Sequence, residues 1–265
     1  MDGELEHEGG EDEWFRSWFD RDYAAVYQHR DGAEAEAAVT MALARAPGLA
    51  SGPVLDLGCG SGRHLAVLRR TNPLAFGLDL SRDLLALAPE ELRPWLLRGD
   101  MRRLPVKPER LAGVCLWFTP FGYFSDRQNG ALLRSLAGLL RPGGVLVLDY
   151  LNADHVRRHL VPADTVVRGR MQVASRRTLE GDRLVKRMTL THLDTGRVRH
   201  ARESLRLYQP EELRALSRAC GLEPAWEAGD YQGAPFDPAS SQRWIGFLIR
   251  PAAGAGLPGG EGRFR

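Results

Sequence analysis

The sequence predicts an α/β protein built on a doubly wound, mostly parallel sheet with an antiparallel β insertion. Three observations predict it. Residues 54 to 70, VLDLGCGSGRHLAVLRR, read as an apolar strand, a glycine-rich loop and a helix. Apolar strand-length runs then alternate with helical stretches through residue 150, the pattern of a parallel sheet covered on both faces. Beyond residue 160 short β-rich stretches are punctuated by Gly and Asp-Thr-Gly turn signals, which antiparallel hairpins fit better than helices.

Taken in order, residues 1–13 are rich in acids and glycine, a composition that predicts disorder. WFRSWFDRDYAAVY (14–27) reads as an aromatic helix. HRDGAEAEAAVTMALARA continues as a helix ended by Pro47 and Gly48, so 14–46 is expected to form a helical cap. PVLDL enters the glycine loop and RHLAVLRR leaves it as a helix. LAFGLDLS is the second strand, with Asp79 near its carboxyl end, and Ser81 caps the helix SRDLLALAPEEL. WLLRGDM is the third strand, ending at Asp100. LAGVCLWF is a continuous apolar run, as a strand buried on both faces requires, and it opens into TPFGYFSD. The helix DRQNGALLRSLAGLL precedes RPGGVLVLDYLN, a tight turn and another buried strand. After an insertion at 160–208, YQPEELRALSRACGL is a helix with Pro210 in its first turn and Gly221 at its end. EPAWEAGDYQG and RWIGFLIR supply two last strands, and 251–265 reads as a disordered tail.

The loop narrows the ligand. A dinucleotide fingerprint needs G-x-G-x-x-G. Counted from Gly58 its third glycine falls on Arg63, and counted from Gly60 it falls on Leu65. The pattern present is D-x-G-x-G-x-G beginning at Asp56. A carboxylate there opposes a pyrophosphate and suits a cation. In this motif the sequence resembles the class I S-adenosylmethionine (SAM) dependent methyltransferases. WFDRDYAAVYQHRD, FTPFGYFSD, LRPGGVLVLDYLN and SLRLYQPEEL are similar to bacterial small-molecule members, including sugar and glycine-type N-methyltransferases, so the likeness spans about residues 14 to 250. It implies a seven-stranded, Rossmann-like methyltransferase fold, with the insertion at 160–208 forming a lid. The cofactor it implies is SAM, with S-adenosylhomocysteine as product, and the acceptor a small molecule.

Site residues follow from that likeness. Gly58, Gly60 and Gly62 pack against the methionyl and ribose portions, and Asp56 engages the ammonium directly or through water. Asp79, 23 residues after Asp56, sits where an acid accepts hydrogen bonds from ribose hydroxyls; helix capping is its alternative role. Leu80 adjoins it. Asp100 bonds the adenine amino group and Met101 packs beside it. Leu116, Trp117 and Phe118 wall the sulfonium side. Tyr23, Tyr27 and Arg30 are candidates for closing over SAM, although tyrosines at i and i+4 equally make a packing stripe. Phe121, Gly122 and Tyr123 follow the fourth strand, where the acceptor meets the methyl; Tyr208 and Tyr231 join them as substrate candidates. In-line displacement demands alignment and exclusion of water, and a base only when the acceptor carries a proton. Tyr123 and His29 are the candidate catalytic groups. No metal is expected, because no His/Cys/Asp/Glu spacing fits one. The absence of an Asn/Asp-Pro-Pro-Tyr motif weighs against planar exocyclic amines as acceptors.

Composition bounds the rest. With 265 residues, 43% apolar and 26% charged, the chain has enough material for a sizeable core. No run of about 18 apolar residues predicts a membrane span. The acidic N-terminus lacks the apolar core of a signal peptide. Cys59, Cys115 and Cys220 read as reduced packing residues in a cytoplasmic protein. Charge is asymmetric: residues 1–22 hold nine acids against two arginines, and 157–206 hold thirteen Arg or Lys against five acids. That basic segment allows a second reading, an RNA methyltransferase. Its other explanation is a salt-bridged surface partly neutralised by the acidic N-terminal segment, with His192 and His200 as surface residues. A third reading is a SAM-binding protein without catalysis.

Overall fold

The computed structural model describes residues 13–28 and 32–252. His29, Arg30, the expected disordered N-terminus except Glu13, and the tail from residue 253 lie outside the described residues. The aromatic N-terminal run forms two short helices where one was expected, α1 (Phe15–Trp18) and α2 (Arg21–Val26). Asp20 makes the break: its backbone is extended and its carboxylate accepts from the N–H groups of Asp22 and Tyr23, at 2.9 and 3.2 Å, starting a new helix. Helix α3 (Gly32–Arg45) follows.

The sheet unit then alternates as expected: β1 (Val54–Leu57), α4 (Arg63–Thr71), β2 (Ala75–Asp79), α5 (Arg82–Ala86), β3 (Leu96–Arg98), β4 (Leu111–Leu116), α6 (Asp126–Leu139) and β5 (Leu140–Leu151). Helix α5 is shorter than predicted, because a 3-10 turn over Glu90–Trp95 replaces its second half. Ser125 and Gln128 form a reciprocal capping box that fixes where α6 begins. Between Leu140 and Val145 the register of β5 against β4 slips, so the Arg-Pro-Gly-Gly segment bulges from the strand. A further helix, α7 (Ala153–His159), leads to β6 (Ala163–Arg168), β7 (Met171–Glu180), β8 (Arg183–His192) and β9 (Val198–Arg206); α8 (Pro210–Ala219), β10 (Glu223–Ala228) and β11 (Arg243–Ile249) complete the chain.

Strands β10-β11-β5-β4-β1-β2-β3 form a seven-stranded sheet in that order, all parallel except β11. Strands β1 and β4 are buried along their whole length, as apolar strands flanked by helices on both faces must be. The strand order reverses beside β1, between β2 and β4, and ligands bind outside the carboxyl ends of such a switch point.

Strands β6-β7-β8-β9 form a separate antiparallel sheet. Its buried residues Met171, Val173, Met188 and Leu190 share one apolar core with Trp18 and Phe124. Polar contacts tie it to the N-terminal helices. Glu203 accepts from Trp18 Nε1 (2.7 Å) and from the Tyr27 hydroxyl (2.9 Å), and Lys186 donates to that hydroxyl at 2.8 Å. Arg199 pairs with Asp20 and Asp22 at 2.5 and 2.9 Å, and Arg197 pairs with Asp22 at 3.2 Å. The basic insertion is thus partly neutralised by the two acids at the start of α2. Among the described residues no helix is long and apolar enough to cross a membrane.

Candidate active site

The loop between β1 and α4 carries Gly58, Gly60 and Gly62 at φ of +73°, +55° and +81°. It is fastened to β2, since the N–H groups of Gly58 and Cys59 both donate to the Leu78 carbonyl. Gly60 faces space: a Cβ there would meet nothing nearer than Leu84 Cδ1 at 3.8 Å. Positive φ and the approach of a ligand together favour glycine at that point. Cys59 fills the gap left by Gly77, whose missing Cβ would lie 2.6 Å from its sulfur, and burial raises its thiol pKa well above the usual range. It is a packing residue.

Acids stand at the strand ends. Asp79 accepts from Gly60 N–H and Ser81 N–H, both at 2.8 Å, so it holds the glycine loop as well as facing the cavity. Burial raises its carboxyl pKa, against those hydrogen bonds. Asp100 accepts a two-pronged hydrogen bond from Arg102, with Nη2 at 2.6 Å. Burial alone would raise Asp100, but the Arg102 hydrogen bonds and charge hold its carboxyl below the usual range. Asp56 is 2% exposed and its Oδ2 has no hydrogen-bond partner. Burial, then the nearby Asp79 charge, pushes its pKa up to about 7. The glycine cradle lines a cavity together with Asp79 and Asp100, whose carboxylates offer acceptors for ribose hydroxyls and an adenine amino group, and the residues present therefore fit SAM.

These elements enclose a cavity of about 300 Å³, at the lower bound of common ligand pockets. Gly58, Gly60, Asp79, Leu80, Asp100 and Met101 line it. The aromatic residues Tyr23, Tyr27, Trp117, Phe118 and Tyr123 line it as well. Of the sequence candidates, Asp56, Gly62, Leu116, Phe121, Gly122, Tyr208 and Tyr231 do not line it. Gly122 serves packing: a Cβ would lie 2.5 Å from the Tyr150 hydroxyl. Phe121 is fully buried in the core. Tyr208 donates to Asp126 at 2.7 Å and accepts from Asn129.

Tyr231 belongs to a buried network that sequence reasoning did not find. Asp149, fully buried, accepts from Tyr231 Oη (2.6 Å), Phe118 N–H (2.7 Å) and Arg243 Nε. Arg243 Nη2 donates to Thr119 Oγ1 at 3.0 Å. Phe118 and Thr119 both have left-handed φ, +62° and +63°, a conformation that costs a non-glycine residue roughly 1–3 kcal/mol. The network holds that turn at the end of β4, where Phe118 enters the cavity wall. His64 was also missed. It lines the cavity, is 6% exposed, and stacks on Trp117 with centroids 5.2 Å apart. The one sequence signal for it was its position directly behind the glycine loop.

Residues 54–144 match the methyltransferase-domain family. The chain is 30% identical over 221 residues to a Streptomyces venezuelae enzyme, dTDP-3-amino-3,4,6-trideoxy-alpha-D-glucopyranose N,N-dimethyltransferase, covering 80% of this chain and 89% of that one. It is 30% identical over 207 residues to dTDP-3-amino-3,6-dideoxy-alpha-D-glucopyranose N,N-dimethyltransferase of Streptomyces fradiae, covering 75% and 80%. The fold matches the solved CcbJ methyltransferase of Streptomyces caelestis with a TM-score of 0.73 at 22% identity, over 89% of this chain and 99% of that one.

Proposed function

The chain belongs to the class I SAM-dependent methyltransferases, and from that premise we propose that it methylates the amino group of an amino sugar carried on a nucleotide. It is an enzyme that transfers methyl from SAM to a small molecule. The amino-sugar acceptor is supported by the two curated relatives, whose likeness runs over most of the chain.

The observation that carries the reading is one cavity lined by acids, glycines and aromatic rings together. Asp79 is assigned to the ribose hydroxyls, Asp100 to the adenine amino group and Met101 to the adenine face. Gly58 and Gly60 let the ligand reach the backbone, and Asp56 balances the ammonium. Tyr23 and Tyr27 close the cavity from above. When bound, SAM supplies an electrophilic methyl that the acceptor's lone pair takes by in-line displacement. The aromatic walls exclude water and favour a neutral amine over its ammonium form, because burial disfavours charge. A base is then not required in the cavity, and Tyr123 is assigned to orienting the acceptor. Phe121, Gly122, Tyr208 and Tyr231 are assigned to the scaffold by their contacts.

The RNA reading loses its motive. Arg177, Arg187, Arg197, Arg199 and Arg206 of the insertion are held in intramolecular ion pairs, which leaves less charge to neutralise phosphates. The test is methyl transfer from labelled SAM to a dTDP-3-amino-dideoxyglucose and to its 3-hydroxy counterpart. Label on the amino compound alone is the expected result. Label on neither sugar, with SAM bound, would reject the acceptor class and return the non-catalytic reading to consideration.

A further inference from the structure

Arg102 does not line the cavity, yet it ties together three segments that do, through Asp100, Phe15 and Phe124. Its guanidinium lies over the Phe15 and Phe124 rings, 5.3 and 5.0 Å from their centroids, and those rings meet edge-on at 5.2 Å. Its Nη1 pairs with Glu13, just before α1, at 3.0 Å. The closest contacts are with Asp100, two positions earlier. Arg102 N–H donates to Oδ1 at 2.9 Å, Nε to both oxygens at 3.0 and 3.1 Å, and Nη2 to Oδ2 at 2.6 Å. Three donors spread over both oxygens stop the carboxylate from turning. An ionised carboxylate offers about four acceptor positions, so room for a further donor remains. A pair as exposed as this one adds little stability. What its two-pronged geometry supplies is direction.

Resting on the reading that this cavity takes SAM with its adenine amino group at Asp100, we propose that Arg102 is a positioning residue for purine selectivity. It locks the Asp100 carboxylate as a fixed acceptor and acts on the ligand only through it. The amino group of adenine is a donor, so a group that can only accept suits it. Burial would raise the Asp100 carboxyl, and the Arg102 hydrogen bonds and charge override that and keep it ionised. A purine with oxygen in place of the amino group sets an acceptor against this charge, and its nearest donor, the ring N1–H, lies one atom away. A carboxylate free to swing could follow that donor, and one held by a fork cannot. Rejecting the wrong purine thus depends on the rigidity of the acceptor as much as on its charge. The same guanidinium reaches Glu13 and Phe15, so the start of the N-terminal cap and the adenine acceptor are held by one residue.

The test is calorimetric titration of the full chain with S-adenosylhomocysteine and with S-inosylhomocysteine, which carries oxygen in place of the amino group. Arg102→Met keeps an unbranched stem beside Phe15 and Phe124 and removes the fork. It should weaken S-adenosylhomocysteine about tenfold, the scale of one hydrogen bond to a charged group, and leave the inosyl ligand within about twofold. Arg102→Lys, which keeps the charge without the fork, should recover only part of the loss. In an Asp100→Asn background Arg102→Met should cost S-adenosylhomocysteine less than about twofold more, since the two residues act as one. Equal loss for both ligands, additive losses in the double variant, or no loss in Arg102→Met overturns the proposal. The double variant decides alone if the inosyl ligand binds too weakly to titrate, and Arg102→Gln is read in the same way if the methionine variant does not fold. Unchanged affinity in Asp100→Asn would instead overturn the adenine assignment of Asp100, and no binding by the unsubstituted chain the SAM reading beneath it.

Discussion

Asp56 and His64 put opposite pH slopes into the stability of the ligand-free protein. Asp56 has a folded pKa of about 7 against 3.8 when free. Across that window the folded protein keeps a proton that the unfolded chain releases, so stability falls as pH rises. His64 has a folded pKa of about 3 against 6.5. Across its window the unfolded chain takes up a proton that the folded protein refuses, so stability falls as pH drops. The two slopes offset each other over their shared range. Asp56→Asn should therefore show a Tm that drops on going from pH 6.5 toward pH 4, and His64→Gln a Tm that drops from pH 4 toward pH 7. Both profiles should be steeper than that of the unsubstituted chain in differential scanning calorimetry, and two superimposable profiles would contradict the assignments. Asp79→Ala should cost about 1.5–3 kcal/mol of S-adenosylhomocysteine binding, the scale of a hydrogen bond to a charged group. At this scale the acids were legible in the sequence because each ends a predicted parallel strand. Tyr208 and Tyr231 were not, because their directions are set by Asp126 and Asp149, each 82 positions away in the chain.

Two elements depend on contacts that no local pattern announces. The turn after β4 is held in its left-handed conformation by Asp149 from β5 and Arg243 from β11. Asp149→Ala would leave Arg243 buried without its counter-charge, which typically costs about 3–5 kcal/mol. Thermal unfolding should show a Tm lower by on the order of 10 °C, and a change within a degree or two would show that the network does not hold the turn. The N-terminal cap is the second element. Its break at Asp20 was missed because the capping aspartate lies inside an aromatic run that reads as one continuous helix. Arg199, bridging Asp20, Asp22 and the Ser17 carbonyl, fastens that break to β9. Because the pairs are partly exposed, Arg199→Ala should cost only about 1 kcal/mol globally. Its effect should be local: faster hydrogen exchange over residues 15–26 with little change in β1 or β4. Uniform exchange across the chain would contradict the clasp.

At the scale of the molecule, the sheet order was predictable because strand–helix alternation and the glycine loop admit few topologies. The antiparallel insertion was predictable from its change of period and turn residues. What the sequence left open was how the two sheets meet. That depends on pairing between distant charges, Asp20 and Asp22 against Arg197 and Arg199, and on Glu203 reaching both Trp18 and Tyr27. The result is a cavity lined by residues of α1 and α2, with the second sheet anchoring those helices. On the proposed function, this cavity binds the S-adenosyl group through Asp79 and the glycine loop. Calorimetric titration with S-adenosylhomocysteine tests it most directly. One site per chain is expected in the unsubstituted protein, with binding weakened roughly ten- to a hundredfold in Asp79→Ala. Equal affinity in the two proteins, or no binding by the unsubstituted chain, would contradict it.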